Sequence, residues 1–178
     1  MGAPMEPPPV KLVMGLIYGS EANAHSALGA LAERLGPVDM ECSPFPFDFT
    51  AYYEEEMGGP LARKFVSFRD LVQRATLPDT KLMTNAVEEE MAVPGKGRRT
   101  VNLDPGYLSP ENLVLATTKG YSHRPYLRDG IYAELVYIYR GGTFAPLEWT
   151  YRDYRDARSI AFFNEVRKGY MRQLSGKN

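Results

Sequence analysis

The chain has 178 residues, 44% of them apolar and 24% charged, which fits one compact domain with a hydrophobic core of its own. Its formal net charge of −1 gives no overall positive field, so nucleic acid and anionic membrane surfaces are disfavoured as partners. The single cysteine and two histidines exclude an internal disulfide and a four-ligand zinc site within the chain, and they favour a reducing, cytoplasmic location.

The N-terminal segment MGAPMEPPP differs in composition from the rest of the chain. It lacks the basic start and apolar core of a signal peptide, and its prolines predict a disordered lead-in. No apolar run reaches the roughly 20 residues that a membrane-spanning helix requires. We therefore expect a disordered segment over residues 1–9 and a single domain over residues 10–175.

The first predicted elements are a strand and a helix. KLVMGLIY at 11–18 is short and nearly all apolar, which is typical of a strand buried on both faces. Ser20 is suited to cap a helix over 21–35, whose apolar stripe ends at Gly36 and Pro37. This pair of elements predicts the beginning of a mixed fold.

Three more strands and a second helix are predicted next. The strands lie over 38–47, 63–70 and 98–104, and the apolar spacing of LPDTKLMTNAVEEEMA predicts a helix over 77–92. The order strand-helix-strand-strand-helix-strand resembles a ferredoxin-like core, so we expect the α+β class. Asp-Pro-Gly at 104–106 is interpreted as a turn after the last of these strands.

An antiparallel meander and a C-terminal helix are predicted for the rest of the chain. RDG at 128–130 indicates a three-residue hairpin loop that would place Leu127 opposite Ile131. GG at 141–142 indicates a two-residue loop. The apolar spacing over 159–174 predicts the closing helix.

These turns predict the surroundings of a buried carboxylate. Counting along the strands places Arg124 opposite Glu134 and Trp149 near it. A carboxylate in the otherwise apolar strand IYAELVYIYR must be paired or protonated, and Arg124 is the natural partner. Strand alternation places His123 on the opposite face from Arg124, so the two side chains reach one pocket only if the strand ends or bulges there. The pattern therefore predicts either a structural ion pair or part of a functional site.

The stretch FDFTAYYEEEMGGP at 47–60 has two interpretations. In the first, Asp48 or Thr50 caps one helical turn whose glutamates face solvent. In the second, Asp48 and Glu56 join Asp104 as oxygen ligands of Mg²⁺. Spacing alone does not show that these carboxylates converge, and the sequence assigns neither a metal nor a cofactor.

The sequence GKGRRT at 95–100 has the composition of a phosphate-binding loop but not its spacing. Glu90 stands where the pattern requires glycine, and Gly97 follows the lysine in place of Ser or Thr. A P-loop is therefore excluded.

Four longer motifs resemble the prokaryotic family known as domain of unknown function 4416. They are FPFDFTAYYEEEMG, VNLDPGYLSPENLVLATTKGYSHRPYL, GIYAELVYIYRGGTF and WTYRDYR, and the similarity covers roughly residues 9–174. The resemblance implies no established activity. Pro125 departs from the family pattern, which disfavours regular strand geometry beside Arg124, and Arg152 departs from it as well. The resemblance implies that the residues recurring in the motifs are Asp48, Thr50, Tyr52, Tyr53, Glu56, Met57, Gly58, Asp104, Gly106, Tyr107, Lys119, His123, Arg124, Tyr132, Glu134, Trp149, Tyr151, Asp153 and Tyr154.

The first functional hypothesis is an enzyme or binding protein for an anionic small molecule. The candidate catalytic residues are His123, Glu134 and Asp104, of which His123 or Glu134 would move a proton. The candidate ligand-binding residues are Tyr53, Tyr107, Lys119, Arg124 and Trp149. In this hypothesis Lys119 and Arg124 hold the anionic group, and the aromatic rings form the walls. We expect Tyr53, Asp104, Lys119, His123, Arg124 and Glu134 to meet at one pocket.

The second hypothesis is a noncatalytic interaction module or homo-oligomer. Twelve tyrosines and one tryptophan supply the aromatic side chains that are enriched at protein interfaces. Convergence of the polar motif residues in a concave pocket would favour the first hypothesis. Their distribution along a flat aromatic surface would favour the second.

Overall fold

The structure, a computed structural model, describes residues 2–96 and 98–176. Within these residues the chain forms one nine-stranded sheet whose neighbouring strands are all antiparallel. The strands are β1 (Val10–Tyr18), β2 (Val38–Glu41), β3 (Phe45–Pro46), β4 (Ala62–Val72), β5 (Val101–Leu108), β6 (Asn112–Thr117), β7 (Tyr126–Arg128), β8 (Ile131–Arg140) and β9 (Thr143–Pro146). The helices are α1 (Glu21–Leu35), α2 (Glu54–Met57), α3 (Leu77–Glu90), α4 (Arg152–Arg155) and α5 (Ala157–Leu174).

The first half of the sheet has the order β2-β4-β1-β5. Strand β4 therefore lies between β1 and β2. The two strands that α1 connects are not neighbours in the sheet. Helix α1 has its predicted bounds, and Ser20 caps it by accepting a hydrogen bond from Asn23 N at 3.3 Å. The α+β class is confirmed.

The second half continues as β5-β6-β8-β7, with β9 on the other part of β8. The sequence did not predict β6, and the predicted turn at 104–106 was wrong because β5 runs through these residues. Gly106 pairs with Leu115 of β6, and a Cβ at Gly106 would lie 2.6 Å from Val114 O. This glycine therefore serves close strand approach and not a turn.

The hairpin between β7 and β8 differs from its prediction by one residue. Arg128 pairs with Ile131, so the loop has two residues, and Leu127 does not lie opposite Ile131 as expected. Asp129 and Gly130 both have positive φ, 53° and 76°, as tight hairpin loops with right-handed strand twist require. The predicted two-residue loop at 141–142 is confirmed, since Arg140 pairs with Thr143.

The register predicted for the buried carboxylate was also wrong. Strand β7 begins at Tyr126, so Arg124 precedes it and cannot be a cross-strand partner in this hairpin. Glu134 lies opposite Leu115 on β6. Trp149 follows the end of β9 and is not on a strand.

The two faces of the sheet are covered by different helices. Leu12, Met14 and Leu16 belong to the same buried cluster as Leu31 of α1 and Val87 of α3. Residues between them face the other way, so that Val13 packs in a cluster with aromatic residues of α5. The predicted C-terminal helix is present and begins two residues early, at Ala157, with Asp156 as its N-cap.

At the N-terminus, residues 2–8 are exposed and have no regular secondary structure. Met1 of the predicted lead-in and Gly97 of GKGRRT lie outside the described residues. Within 2–96 and 98–176, no helix has the length and apolar character needed to cross a membrane.

Candidate functional site

The centre of the candidate site is a separation between β5 and β6. These strands pair only over 106–108 of β5, and Pro105, which has no backbone N–H to donate, stands where the pairing stops. At Leu103 two side chains of α3 take the place of β6. Leu103 N donates to Glu88 Oε1 at 2.6 Å, and Lys81 Nζ donates to Leu103 O at 2.9 Å. The open edge of β5 is therefore satisfied by a carboxylate and an ammonium group.

A cavity of about 870 Å³ lies at this separation. One wall is aromatic and comes from the segment between β3 and α2, with Phe47, Phe49, Tyr52 and Tyr53. The other lining residues come from the sheet, from α3 and α4, and from the segments between β3 and α2, before β5, after β6 and after β9. They are Ile17, Thr50, Arg63, Lys81, Asn85, Glu88, Arg99, Asn102, Asp104, Leu115, Ala116, Thr117, Thr118, Lys119, Glu134, Tyr151, Arg152 and Asp153.

Arg63 carries a buried charge beneath the cavity, with only 2% of its surface exposed. Its guanidinium lies 2.9 Å from Asp104 Oδ2 and 2.7 Å from Asp153 Oδ2. It also packs over the rings of Phe65 and Tyr154, with 4.8 Å and 5.1 Å to the ring centroids. One buried cation thus compensates two carboxylates.

Asp104, a predicted catalytic residue, is held in its charged form. Burial acts to raise its pKa, but the charges of Arg63 and Lys81 and the hydrogen bonds from Arg63 and Asn102 lower it below the ordinary value. A carboxyl with a lowered pKa is a poor proton donor near neutral pH. The geometry therefore assigns Asp104 to the electrostatics of the site more than to proton transfer.

A second charged network joins the acidic segment to the sheet. Arg99 contacts Glu56 through two nitrogens, at 2.7 Å and 2.6 Å, and lies 3.3 Å from Glu88. The hydrogen bond from the Arg99 side chain lowers the pKa of Glu56. Burial acts in the opposite direction, but its effect is smaller. Within the described residues no group of three or more His, Cys, Asp or Glu side chains could hold a metal ion. Asp48, Glu56 and Asp104 therefore do not form the magnesium site considered from the sequence.

The helical turn α2 is present in the acidic segment, but neither predicted cap is used. Its N-cap position is Tyr53, which makes no capping hydrogen bond through its side chain. Thr50 Oγ1 instead accepts from Tyr52 N at 3.2 Å in the preceding turn. Burial raises the pKa of Tyr53, and the charge of Asp104 adds to this effect. Tyr53 therefore faces the cavity as a neutral hydroxyl.

Glu134 forms the third charged group and is 1% exposed. Its Oε2 lies 3.0 Å from Arg124 Nη2 and accepts a hydrogen bond from Tyr151 Oη at 2.8 Å. Its Oε1 lies 3.4 Å from His123 Nε2, and the His123 ring stacks on Trp149 with 4.8 Å between centroids. A buried carboxylate with this number of partners satisfies the requirement for compensation that the sequence implied.

His123 and Arg124 both reach Glu134, because the strand begins only at Tyr126, and an end of the strand was the condition for the two side chains to share a pocket. The residues form a turn in which Arg124 N donates to Tyr121 O at 3.0 Å, and strand alternation does not apply there. Pro125 follows directly, consistent with an interruption of regular strand geometry. The predicted ion pair exists, although the predicted cross-strand register does not.

The structure brings together part of the set predicted to share a pocket. Tyr53, Asp104, Lys119 and Glu134 line the cavity. His123 and Arg124 are not among the lining residues, but both contact Glu134, which is. Lys119 Nζ donates to Tyr52 Oη at 3.2 Å and lies 4.6 Å from the centre of that ring.

Two predicted ligand-binding residues are not part of the lining. Tyr107 packs against a separate cluster that contains Leu77 and Val114. Trp149 is 38% exposed, stacks on His123 and donates to Leu135 O at 2.8 Å. Tyr107 is therefore a packing residue, and Trp149 supports His123 by stacking on its ring.

Several site residues were missed, most clearly Lys81 and Glu88 on α3. Buried residues of this helix include Leu77, Lys81, Thr84 and Glu88, which follow one helical stripe. The prediction used the apolar spacing of this helix alone and did not consider its charged positions. The sequence did contain a signal for these two residues. Lys81 and Glu88 lie on the same helical stripe as the apolar Leu77, which indicates that they are buried.

The family model described as Domain of unknown function (DUF4416) matches residues 8–170. The chain belongs to this family. The match spans the cavity, the Arg63 network and the Glu134 cluster, so the candidate site lies within the family domain. Comparisons with curated proteins and with solved structures give no match.

Proposed function

We propose that this DUF4416 protein binds a small molecule with an anionic group in the cavity between β5, β6 and α3. The observation that carries the proposal is an imbalance of charge pairing in the lining. The four lining carboxylates, Glu88, Asp104, Glu134 and Asp153, all lie in ion pairs. In the part of the chain that the structure describes, no carboxylate oxygen lies within 4.0 Å of the cationic groups of Lys81, Lys119 or Arg152.

The volume and lining agree with a small-molecule site. Ligand pockets typically have volumes of roughly 300–1,000 Å³ and combine apolar walls with a few placed polar groups. The aromatic wall of Phe47, Phe49 and Tyr53 would contact an apolar body, while the unpaired cations would contact the anion.

The cations proposed from the sequence need one change. Arg124 is committed to Glu134, and its Nη1 donates to Lys119 O at 3.0 Å. Removing it from Glu134 to bind a ligand would leave a buried carboxylate with less compensation. Lys119 stays in the proposal, and Arg152 replaces Arg124. Proton transfer by Glu134 and His123 stays a prediction, and the proposal concerns binding.

A thermal-shift screen with a library of anionic and neutral metabolites tests the proposal. Ligands that bind the folded state raise the melting temperature by mass action. We expect anionic hits for the parent and a reduced shift for Lys119→Met. The matched control is Lys168→Met, an exposed position on α5 outside the cavity, which should keep the parent's shifts. Equal shifts in all three proteins would remove Lys119 from the proposal, and the absence of anionic hits for the parent would contradict the proposal itself.

The alternative proposal is an interaction module, and an exposed aromatic surface favours it. Tyr121, Tyr126 and Trp149 are 68%, 59% and 38% exposed. Tyr126 lies on β7, Tyr121 precedes β7, and Trp149 follows β9. Aromatic residues of this kind are enriched at interfaces, and partner or self-association is their expected use. Light scattering across protein concentrations would detect a homo-oligomer.

Both proposals place the protein in a reducing cytoplasm, which the single Cys42 favours.

A further inference from the structure

Lys81 has surroundings that a surface lysine does not have. It lies on the buried stripe of α3 and is only 8% exposed, yet its side chain lines the cavity. Its ammonium donates to one carbonyl oxygen, that of Leu103, at 2.9 Å. An ammonium has further N–H donors, and within residues 2–96 and 98–176 no carboxylate oxygen lies within 4.0 Å of them.

The neighbouring carboxylates do not require Lys81 as their direct partner. Glu88 accepts from Leu103 N at 2.6 Å and lies 3.3 Å from Arg99. Asp104 lies 2.9 Å from Arg63. Burial raises the pKa of Glu88, and the charge of Lys81 acts against that rise. Burial also acts to raise the pKa of Asp104, but the charge of Arg63, followed by that of Lys81, lowers it below its ordinary value. Each carboxylate therefore has a closer cation of its own.

The hydrogen bond to Leu103 does not by itself explain a charged side chain. A neutral donor could satisfy a single carbonyl without the cost of burying an ammonium group. A buried charge facing a cavity is compensated most directly by an opposite charge that enters the cavity. The aromatic wall beside it suits an apolar, planar body attached to that charge.

We infer that Lys81 Nζ is the buried anchor for the anionic group of the ligand, and that the ligand is a small aromatic or otherwise planar molecule with a carboxylate or phosphate. This inference rests on the proposed function and assigns the contact to a residue of α3. Lys119, by comparison, lies in a less buried position and already contacts the ring and hydroxyl of Tyr52.

The test compares benzoate, phenyl phosphate and the neutral benzyl alcohol as probes. Their dissociation constants would be measured by calorimetry for the parent, Lys81→Gln and Lys81→Arg. We expect Lys81→Gln, which replaces the ammonium with a neutral polar group, to weaken binding of the preferred anion by at least about tenfold and to leave benzyl alcohol unchanged. Lys81→Arg should recover part of the loss. The tighter of the two anions in the parent assigns carboxylate or phosphate.

The outcomes separate this inference from the proposed function. Unchanged anion binding in Lys81→Gln, together with weaker binding in Lys119→Met, would overturn the role of Lys81 and leave the cavity as the binding site. Failure of every probe to bind the parent would overturn both. If Lys81→Gln does not fold, a crystal structure of the parent with the tighter anion decides the matter. An anion oxygen about 3 Å from Lys81 Nζ supports the inference, and an anion held by Lys119 alone refutes it.

Discussion

Glu134 is nearly inaccessible to solvent, and its charge is compensated by Arg124, His123 and Tyr151. Burial, together with the charge of Glu134, raises the pKa of Tyr151, which therefore acts as a neutral donor to the carboxylate. The sequence was sufficient to predict the partner Arg124, because a lone carboxylate in an apolar strand must be compensated. It was not sufficient to predict the turn that also brings His123 to the same carboxylate.

We predict that Arg124 and Glu134 are strongly coupled in stability. Arg124→Met leaves a buried carboxylate with weaker compensation, and Glu134→Leu leaves an unpaired guanidinium, so either change should cost about 3–5 kcal/mol. The double variant should cost less than the sum of the two single losses. Urea denaturation of the three variants measures this coupling, and additive losses would refute it.

At the scale of elements, the separation of β5 from β6 creates the site. The sequence Asp-Pro-Gly was interpreted as a turn, because proline and glycine usually mark turns. In the fold, both residues lie inside β5. Pro105 stands where the pairing with β6 stops, and Gly106 stands where β5 and β6 approach closely. Local patterns cannot reveal this, because the roles of both residues depend on β6, a neighbour that the sequence pattern did not reveal. Lys81 and Glu88 were missed for a different reason, because the prediction considered only the apolar positions of α3.

Gly106→Ala tests the close approach of β5 and β6. Its Cβ would lie 2.6 Å from both Val114 O and Leu115 Cδ2, so the paired strands must move apart. We expect a loss of about 1–3 kcal/mol in the free energy of unfolding. Gly29→Ala on α1 is the matched control, since a Cβ there meets nothing within 4 Å and should stabilise the helix by about 0.5–1 kcal/mol. Equal effects of the two variants on the denaturation midpoint would contradict this account of β5.

Helix α5 should carry an acid-sensitive cap at Asp156. The side-chain hydrogen bond from Arg158, together with the one from its backbone N–H, lowers the pKa of Asp156 from 3.8 to about 2. As the pH falls between these values, the unfolded chain takes up a proton before the folded one, so stability is lost on acidification. Asp156→Asn keeps a capping side chain and removes this titration, and its unfolding free energy should depend less on pH from 5 to 2 than the parent's.

The comparison of Asp156→Asn with the parent is made by urea denaturation at several pH values. If the parent and Asp156→Asn lose stability in parallel below pH 4, the assignment of Asp156 as an acid-sensitive cap is wrong.

At the scale of the whole molecule, a single sheet carries helices on both faces and a cavity where two of its strands diverge. The order of elements up to β5 and the closing helix followed from hydrophobic periodicity, which reports local burial. The convergence of Tyr53, Asp104, Lys119 and Glu134 at one cavity depends on strand order and on where pairing ends. Motif resemblance marked these residues as a group, but only the three-dimensional arrangement relates them to Arg63 and Lys81.

The most direct test of the cavity as a ligand site is a nuclear magnetic resonance titration of the parent protein with phenyl phosphate. We predict saturable shifts of backbone amides that line the cavity, such as those of Tyr53, Asn85 and Thr117. The exposed Tyr126 and Ile138, which do not line it, should be unaffected. Shifts confined to Tyr126, Ile138 and their neighbours, or the absence of any saturable shift, would contradict the account.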